Sequence, residues 1–126
     1  MNNYLDLLAK IAEAVEPVSN VRMAACLVYK GRVVSVGVNK YKTDPFQKTF
    51  ASDEFKIHTH AEVSAIKIGR KYLNASQLQK AVLYVARIKR PSRGSEEWMF
   101  GMAKPCSGCR KCIDHFGIKK VVYSQG

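Results

Sequence analysis

The chain has 126 residues, with 21 Lys+Arg against 10 Asp+Glu and a formal net charge of +11. That length fits one domain that buries about two-thirds of its unfolded surface, so neither a metal nor a disulfide is needed merely to fold. A composition 47% hydrophobic and 25% charged excludes a disordered or collagen-like chain, and the apolar runs fall far short of the roughly 18 residues of a membrane span.

The start, Met1-Asn2-Asn3-Tyr4, lacks the basic region and apolar core of a signal peptide, so a soluble cytoplasmic protein is expected. Asn2 or Asn3 caps a predicted helix with Leu5, Leu8, Ala12 and Val15 at helical spacing, ended by Pro17. Residues 24–30 and 33–38 form a predicted β-hairpin around Gly31-Arg32, rich in valine. Residues 39–59 have no sustained period and read as a long loop, a kind that is usually functional. A helix is expected over residues 60–72, with Val63, Ile66 and Ile68 apolar, then a buried strand over residues 81–87. Residues 88–104, with Pro91, Gly94 and Gly101, read as irregular. A short helix over residues 106–116 stops at Gly117, and residues 118–124 close as a strand. The order α-β-β-α-β-α-β implies an α/β fold: a mixed sheet of four to five strands with helices packed on it.

Three of the four cysteines, Cys106, Cys109 and Cys112, lie within seven residues, which suits a metal or redox site in a reducing compartment. Cys106-x-x-Cys109 opening a helix would by itself fit a thioredoxin-like redox pair equally well. His60-Ala61-Glu62 changes that balance. Cys106 and Cys109 lie about one helical turn apart and can share an ion, and a helix start favours their thiolate forms. With His60 they make three ligands, leaving zinc's fourth position open to water as in catalytic sites, with Glu62 close by and not needed as a ligand.

These residues resemble the zinc-dependent cytidine/deoxycytidylate deaminase superfamily, whose signature is His-x-Glu followed by Pro-Cys-x-x-Cys. Residues 106–123 are similar to the corresponding end of deoxycytidylate deaminases, and Gly37-Val38-Asn39 is similar to the family's strand-end Gly-x-Asn. The resemblance implies a three-layer cytidine-deaminase-like fold over a single domain, residues 1–126. It implies Zn2+ on His60, Cys106 and Cys109, with a hydrogen-bond acceptor behind the ring holding the other nitrogen of His60. Glu62 is the implied proton shuttle for water activated near neutral pH, which attacks C4 of a cytosine ring. The Ala61 N–H and Asn39 are implied to fix base and sugar. The implied substrate is a cytosine nucleotide, with dCMP to dUMP plus ammonia the leading case.

Other residues have plainer expectations. From Cys106 to His115 a helix rises about 13.5 Å, too far for one ion, so Cys112 reads as a packed hydrophobe and His115 as a helix-end residue. Cys26 reads as buried and inert, and His58 as a loop histidine. Tyr41, Phe46 and Phe50 either stack on a base or pin their loop, and residues 42–45 are a candidate lid. Arg87, Lys89, Arg90 and Arg93 are candidate phosphate contacts set against the default of a solvated basic face.

The stretch 88–104 is longer than relatives carry between strand and Pro-Cys, and is expected to form a lid, cover a sheet edge or meet another subunit. Family members commonly associate, and an unpaired edge at residues 121–123 adds to the expectation of a homo-oligomer. No membrane partner is expected. The basic surplus keeps nucleic acid in view as an alternative, a deaminase of single-stranded DNA or RNA including tRNA adenosine. Stopping at residue 126 leaves little chain for an RNA-binding element and favours the small substrate. Nucleoside or free-base deamination and a non-catalytic zinc module are the remaining alternatives; Glu62 speaks against the last. A thiol–disulfide function would leave His60 and Glu62 idle.

Overall fold

The computed structural model describes residues 3–14, 22–40, 60–90 and 97–126. Its elements in chain order are α1 (Asn3–Glu13), β1 (Arg22–Tyr29), β2 (Arg32–Val38), α2 (Ala61–Gly69), α3 (Ala75–Lys80), β3 (Val82–Lys89), β4 (Met99–Gly101), α4 (Ser107–His115) and β5 (Lys120–Tyr123). The expected positions Val15, Pro17, Tyr41, Phe46, Phe50, His58 and Arg93, and the candidate lid at residues 42–45, lie outside the described residues.

The hairpin turns on Lys30 (φ 50°) and Gly31 (φ 75°). Positive φ at both central residues is the type I′ arrangement that matches strand twist. β1 pairs antiparallel with β2 and with β3, and β5 runs parallel to β3. The result is a mixed five-stranded sheet, as the element order implies.

Side-chain alternation divides the core into two layers. On one face Ala24, Cys26, Val28, Ala86 and Ile88 pack against Leu8 and Ala12 of α1. On the other, Ala25, Leu27, Leu83 and Val85 pack against Val63, Ala65 and Ile66 of α2 and Cys109, Cys112 and Ile113 of α4. Each large aliphatic side chain buried this way contributes about 1.5–3 kcal/mol. Both ligand-bearing helices therefore share a face of the sheet.

Three expectations need correction. The predicted helix over residues 60–72 ends at Gly69, and Ile68 is 37% exposed and outside the core. A separate helix, α3, follows it, capped reciprocally by Asn74 and Gln77. The Asn-x-x-Gln spacing was the available signal, a capping box ahead of a single turn and a half. Residues 88–104 are not wholly irregular. Ile88 and Lys89 continue β3, and β4 pairs antiparallel with them. The stretch thus covers part of a sheet edge, one of its three expected uses. β5 and β4 take successive lengths of the same β3 edge, and Ser124 ties the junction, its Oγ donating to Gly101 O at 2.7 Å and accepting from Arg87 N at 3.0 Å. Among the described residues no helix is long and apolar enough to cross a membrane.

Candidate zinc site

His60 is the N-cap of α2, in extended conformation (φ −83°, ψ 146°) and with no side-chain capping bond. Its ring turns toward α4. Cys106 occupies the matching N-cap of α4 (φ −70°, ψ 173°), with its Sγ 3.5 Å from the Cys109 N–H. Two helix N-termini thus converge on one point, and their positive ends favour thiolates there.

The His60 Nδ1 lies 3.2 Å from Cys109 Sγ and 3.6 Å from Cys106 Sγ. The three ligand atoms all fall within 4.8 Å of one another. A tetrahedral zinc with N and S bonds of about 2.0 and 2.3 Å spaces its ligand atoms about 3.5–3.8 Å apart. The group fits the ion, and zinc suits two sulfurs and an imidazole better than a hard cation would.

Without a cation the two sulfurs divide one proton. The Cys109 thiol donates to Cys106, holding Cys106 down at about 4 against burial, while the same bond and burial push Cys109 far up. The opposed directions belong to the pair, and a divalent cation would relieve both by taking two thiolates.

Glu62, one helical step past Ala61, is only 2% exposed. Burial raises its pKa above the ordinary carboxylate range, opposed by its own backbone and by the charge of His60. Its Oε1 is shut off from solvent and has no partner among the described residues. Such an atom costs stability unless something visits it.

Ala61 is fully buried at the first position of α2, where main-chain N–H groups lack helical acceptors. Asn39 is 3% exposed at the end of β2, its Oδ1 accepting from Met23 N at 2.9 Å. Gly37, two residues earlier, lies directly beneath Ala61, Ser64 and Ala65, so Asn39 stands at the end of the sheet from which α2 begins. Cys112 is buried in the core with its thiol pushed up to about 12 by burial, and Cys26 is buried on the opposite face at about 11. His115 stacks edge-on against Phe116 at 4.9 Å, at the far end of α4. Cys112 and His115 are outside the ligand group, as expected.

The basic run does not act as one patch. Lys89 and Arg90 are exposed, and the Arg90 guanidinium lies over Trp98 at 4.4 Å, a ring that the Arg22 guanidinium also meets at 4.8 Å. Arg87 alone of the described members is half-buried, with its Nε enclosed. Nothing in the spacing separates Arg87 from Lys89 and Arg90; its place further inside β3, opposite Gly101, does.

A three-ligand His/Cys/Cys group on paired helix N-termini, with a buried carboxylate close by, is the arrangement of a zinc-dependent deaminase. The sequence matches the cytidine and deoxycytidylate deaminase zinc-binding region across residues 1–125, and the chain belongs to that family. The dCMP deaminase of cyanophage S-TIM5, solved with dCMP and dUMP, is similar at TM-score 0.58 and 18% identity, over 98% of this chain and 82% of that one. Its apo form gives 0.58 at 21% identity, over 98% and 84%. Guanine deaminase from Bacillus subtilis gives 0.61 at 23% identity, over 99% of this chain and 65% of that chain. No curated protein sequence matches the chain.

Proposed function

We propose that this deaminase removes the exocyclic amine of a cytosine nucleotide, converting dCMP and water to dUMP and ammonia. The observation that carries the reading is Glu62, a buried carboxylate with one bare oxygen beside the zinc ligands. A structural zinc site has no use for it. His60, Cys106 and Cys109 hold the ion. Zinc, when bound, supplies the Lewis acidity that makes water a nucleophile near neutral pH. Glu62 accepts the water's proton and delivers it to the ring nitrogen; it then takes the proton of the new C4 hydroxyl and passes it to the amine as the C4–N bond breaks, leaving the C4 carbonyl and ammonia. The Ala61 N–H takes the base, and Asn39, fixed by Met23, takes the sugar. The excess of 21 basic over 10 acidic residues suits a phosphate-bearing substrate.

We read residues 1–126 as one catalytic domain. The four free thiols suit the cytoplasm, and the outer side of β5 suits a second copy. The same positive charge supports a second reading, a deaminase of single-stranded nucleic acid. Ammonia release by the zinc-loaded protein tests both, over cytosine, deoxycytidine, dCMP, CMP, adenosine, guanine and a single-stranded oligonucleotide. Highest kcat/KM on dCMP supports the proposal; turnover of free cytosine or guanine but not dCMP refutes it.

A further inference from the structure

We propose that Arg87 is the specificity residue of this site, binding the phosphate of a mononucleotide substrate; the assignment rests on the nucleotide reading above. Strand register provides the placement. In β1, Ala25 pairs with Gly37 on one side and Val85 on the other. Gly37 lies under α2, and Ala25 and Val85 belong to the core layer of α2 and α4. Two residues further along each strand, on the same face, stand Asn39, Met23 and Arg87. Met23 bonds to Asn39 on one side and pairs with Arg87 on the other.

Arg87 is therefore on the zinc-bearing face, in the row that ends with Asn39, at the end of the sheet where α2 begins. Its stem lies on Gly101, where a Cβ would stand 3.3 Å from Arg87 Cδ. Gly101 opens the segment that leads to Pro105 and Cys106. Arg87 thus stands between Gly101, at the head of the zinc-ligand segment, and Met23, which bonds to Asn39.

Its Nε is buried and has no acceptor among the described residues. A guanidinium nitrogen enclosed without an acceptor is costly, and a planar fork matches a phosphate's oxygens. Lys89 and Arg90 lack this enclosure, and Arg90 is engaged with Trp98.

The test uses zinc-loaded full-length protein, wild type against Arg87→Met and Arg87→Lys, with kcat/KM measured on dCMP, deoxycytidine and a cytosine oligonucleotide. Zinc content and melting temperature are followed in parallel. A charge-assisted contact of this kind is worth about 10- to 100-fold. Arg87→Met is expected to lose that on dCMP and stay within about threefold on deoxycytidine. Should Arg87→Met fail to fold, Arg87→Lys decides the matter: it keeps stem and charge, and a tenfold loss confined to dCMP is expected. An equal fall on both substrates assigns Arg87 a structural role and overturns the proposal, as does a dCMP preference that survives both variants. Either leaves the nucleotide reading standing. A wild type without preference for dCMP over deoxycytidine overturns that reading and this assignment together. A preference for the oligonucleotide, lost with Arg87, overturns the mononucleotide part.

Discussion

Replacing Gly37 by Ala tests how closely the site depends on the sheet beneath it. A Cβ on Gly37 would collide with the Ala65 N and Ala61 O backbone atoms and stand 2.8 Å from Ser64 Cβ. Two of these obstacles are backbone in the first turns of α2, so no rotamer change relieves them. The helix must lift. Neighbouring contacts resist that, since Ser35 Oγ donates to Ala65 O at 2.7 Å and Gly69 packs close over Leu27 and Ser35. Overpacking of this sort costs about 1–3 kcal/mol, and here the upper end is expected. Removing glycine's freedom from the unfolded chain returns about 0.4–1 kcal/mol, leaving a net loss of about 2 kcal/mol. At about 4 °C per kcal/mol for a domain of this length, the melting temperature should fall by about 8 °C. Lifting the first turn also moves His60 from the two sulfurs, where a metal site tolerates only about 0.2 Å. Zinc competition against a chelating dye should show the ion held at least tenfold more weakly. Gly31→Ala is the comparator: it meets nothing within 4 Å but has φ 75°. It should cost about 1 kcal/mol of turn strain and leave zinc affinity alone. A Gly37→Ala protein that melts within about 2 °C of wild type or above it, with unchanged zinc affinity, refutes the close-contact reasoning.

Glu62→Ala should retain one zinc per chain and lose at least about 100-fold in turnover, read by metal analysis and ammonia release; undiminished turnover would sink the proton-transfer role. Cys26 ties stability to alkaline pH. Burial raises its thiol from 9.0 to about 11, so the unfolded chain loses that proton first as pH rises. The contribution is whole below pH 9 and is lost between 9 and 11, about 2 kcal/mol, and Cys26→Ala should flatten urea stability over that window relative to wild type. Cys26 and Cys112 should also resist a thiol reagent at pH 8 in the folded, zinc-loaded protein and react only after unfolding, since their thiolate fractions are negligible there. The β5 edge should place the protein in an oligomer by light scattering at micromolar concentration; a monomer would count against that use of the edge.

What was legible in the sequence had short-range causes. The hairpin followed from valine-rich runs around Gly31, and α4 from Cys106 at its cap and Gly117 at its stop, where φ is 74°. His60, Glu62, Cys106 and Cys109 were legible as a set because zinc takes imidazole and thiolate donors, Cys106 and Cys109 stand about one helical turn apart, and the four together resemble the deaminase signature. The missed parts depend on long-range pairing. β4 has three residues and becomes a strand only because Arg87–Lys89 offers it an edge. Ile68 satisfied the apolar period but falls on the outer side of a helix whose inner stripe is already filled. The distinction between Arg87 and its described basic neighbours is likewise invisible in the run itself, because it arises from Gly101 across the ladder.

The same topology explains why the site falls where it does. β2, β3 and β5 run in one direction and only β1 and β4 oppose them. The crossovers β2–α2–β3 and β3–α4–β5 step the same way across the sheet, so the usual right-handed connection puts α2 and α4 on one face. α2 starts beyond the carboxyl end of β2, and α4 starts beyond that of β3 after the short return strand β4, so both N-termini open at one end of the sheet. Ligand sites in sheets of this kind collect outside those strand ends. The ion ligands at two helix starts, Asn39 just past β2 and Arg87 toward the end of β3 are therefore neighbours by connectivity, though they lie as much as 70 positions apart in the chain. Their separation in sequence and their convergence in space have one cause, two parallel crossovers of the same hand.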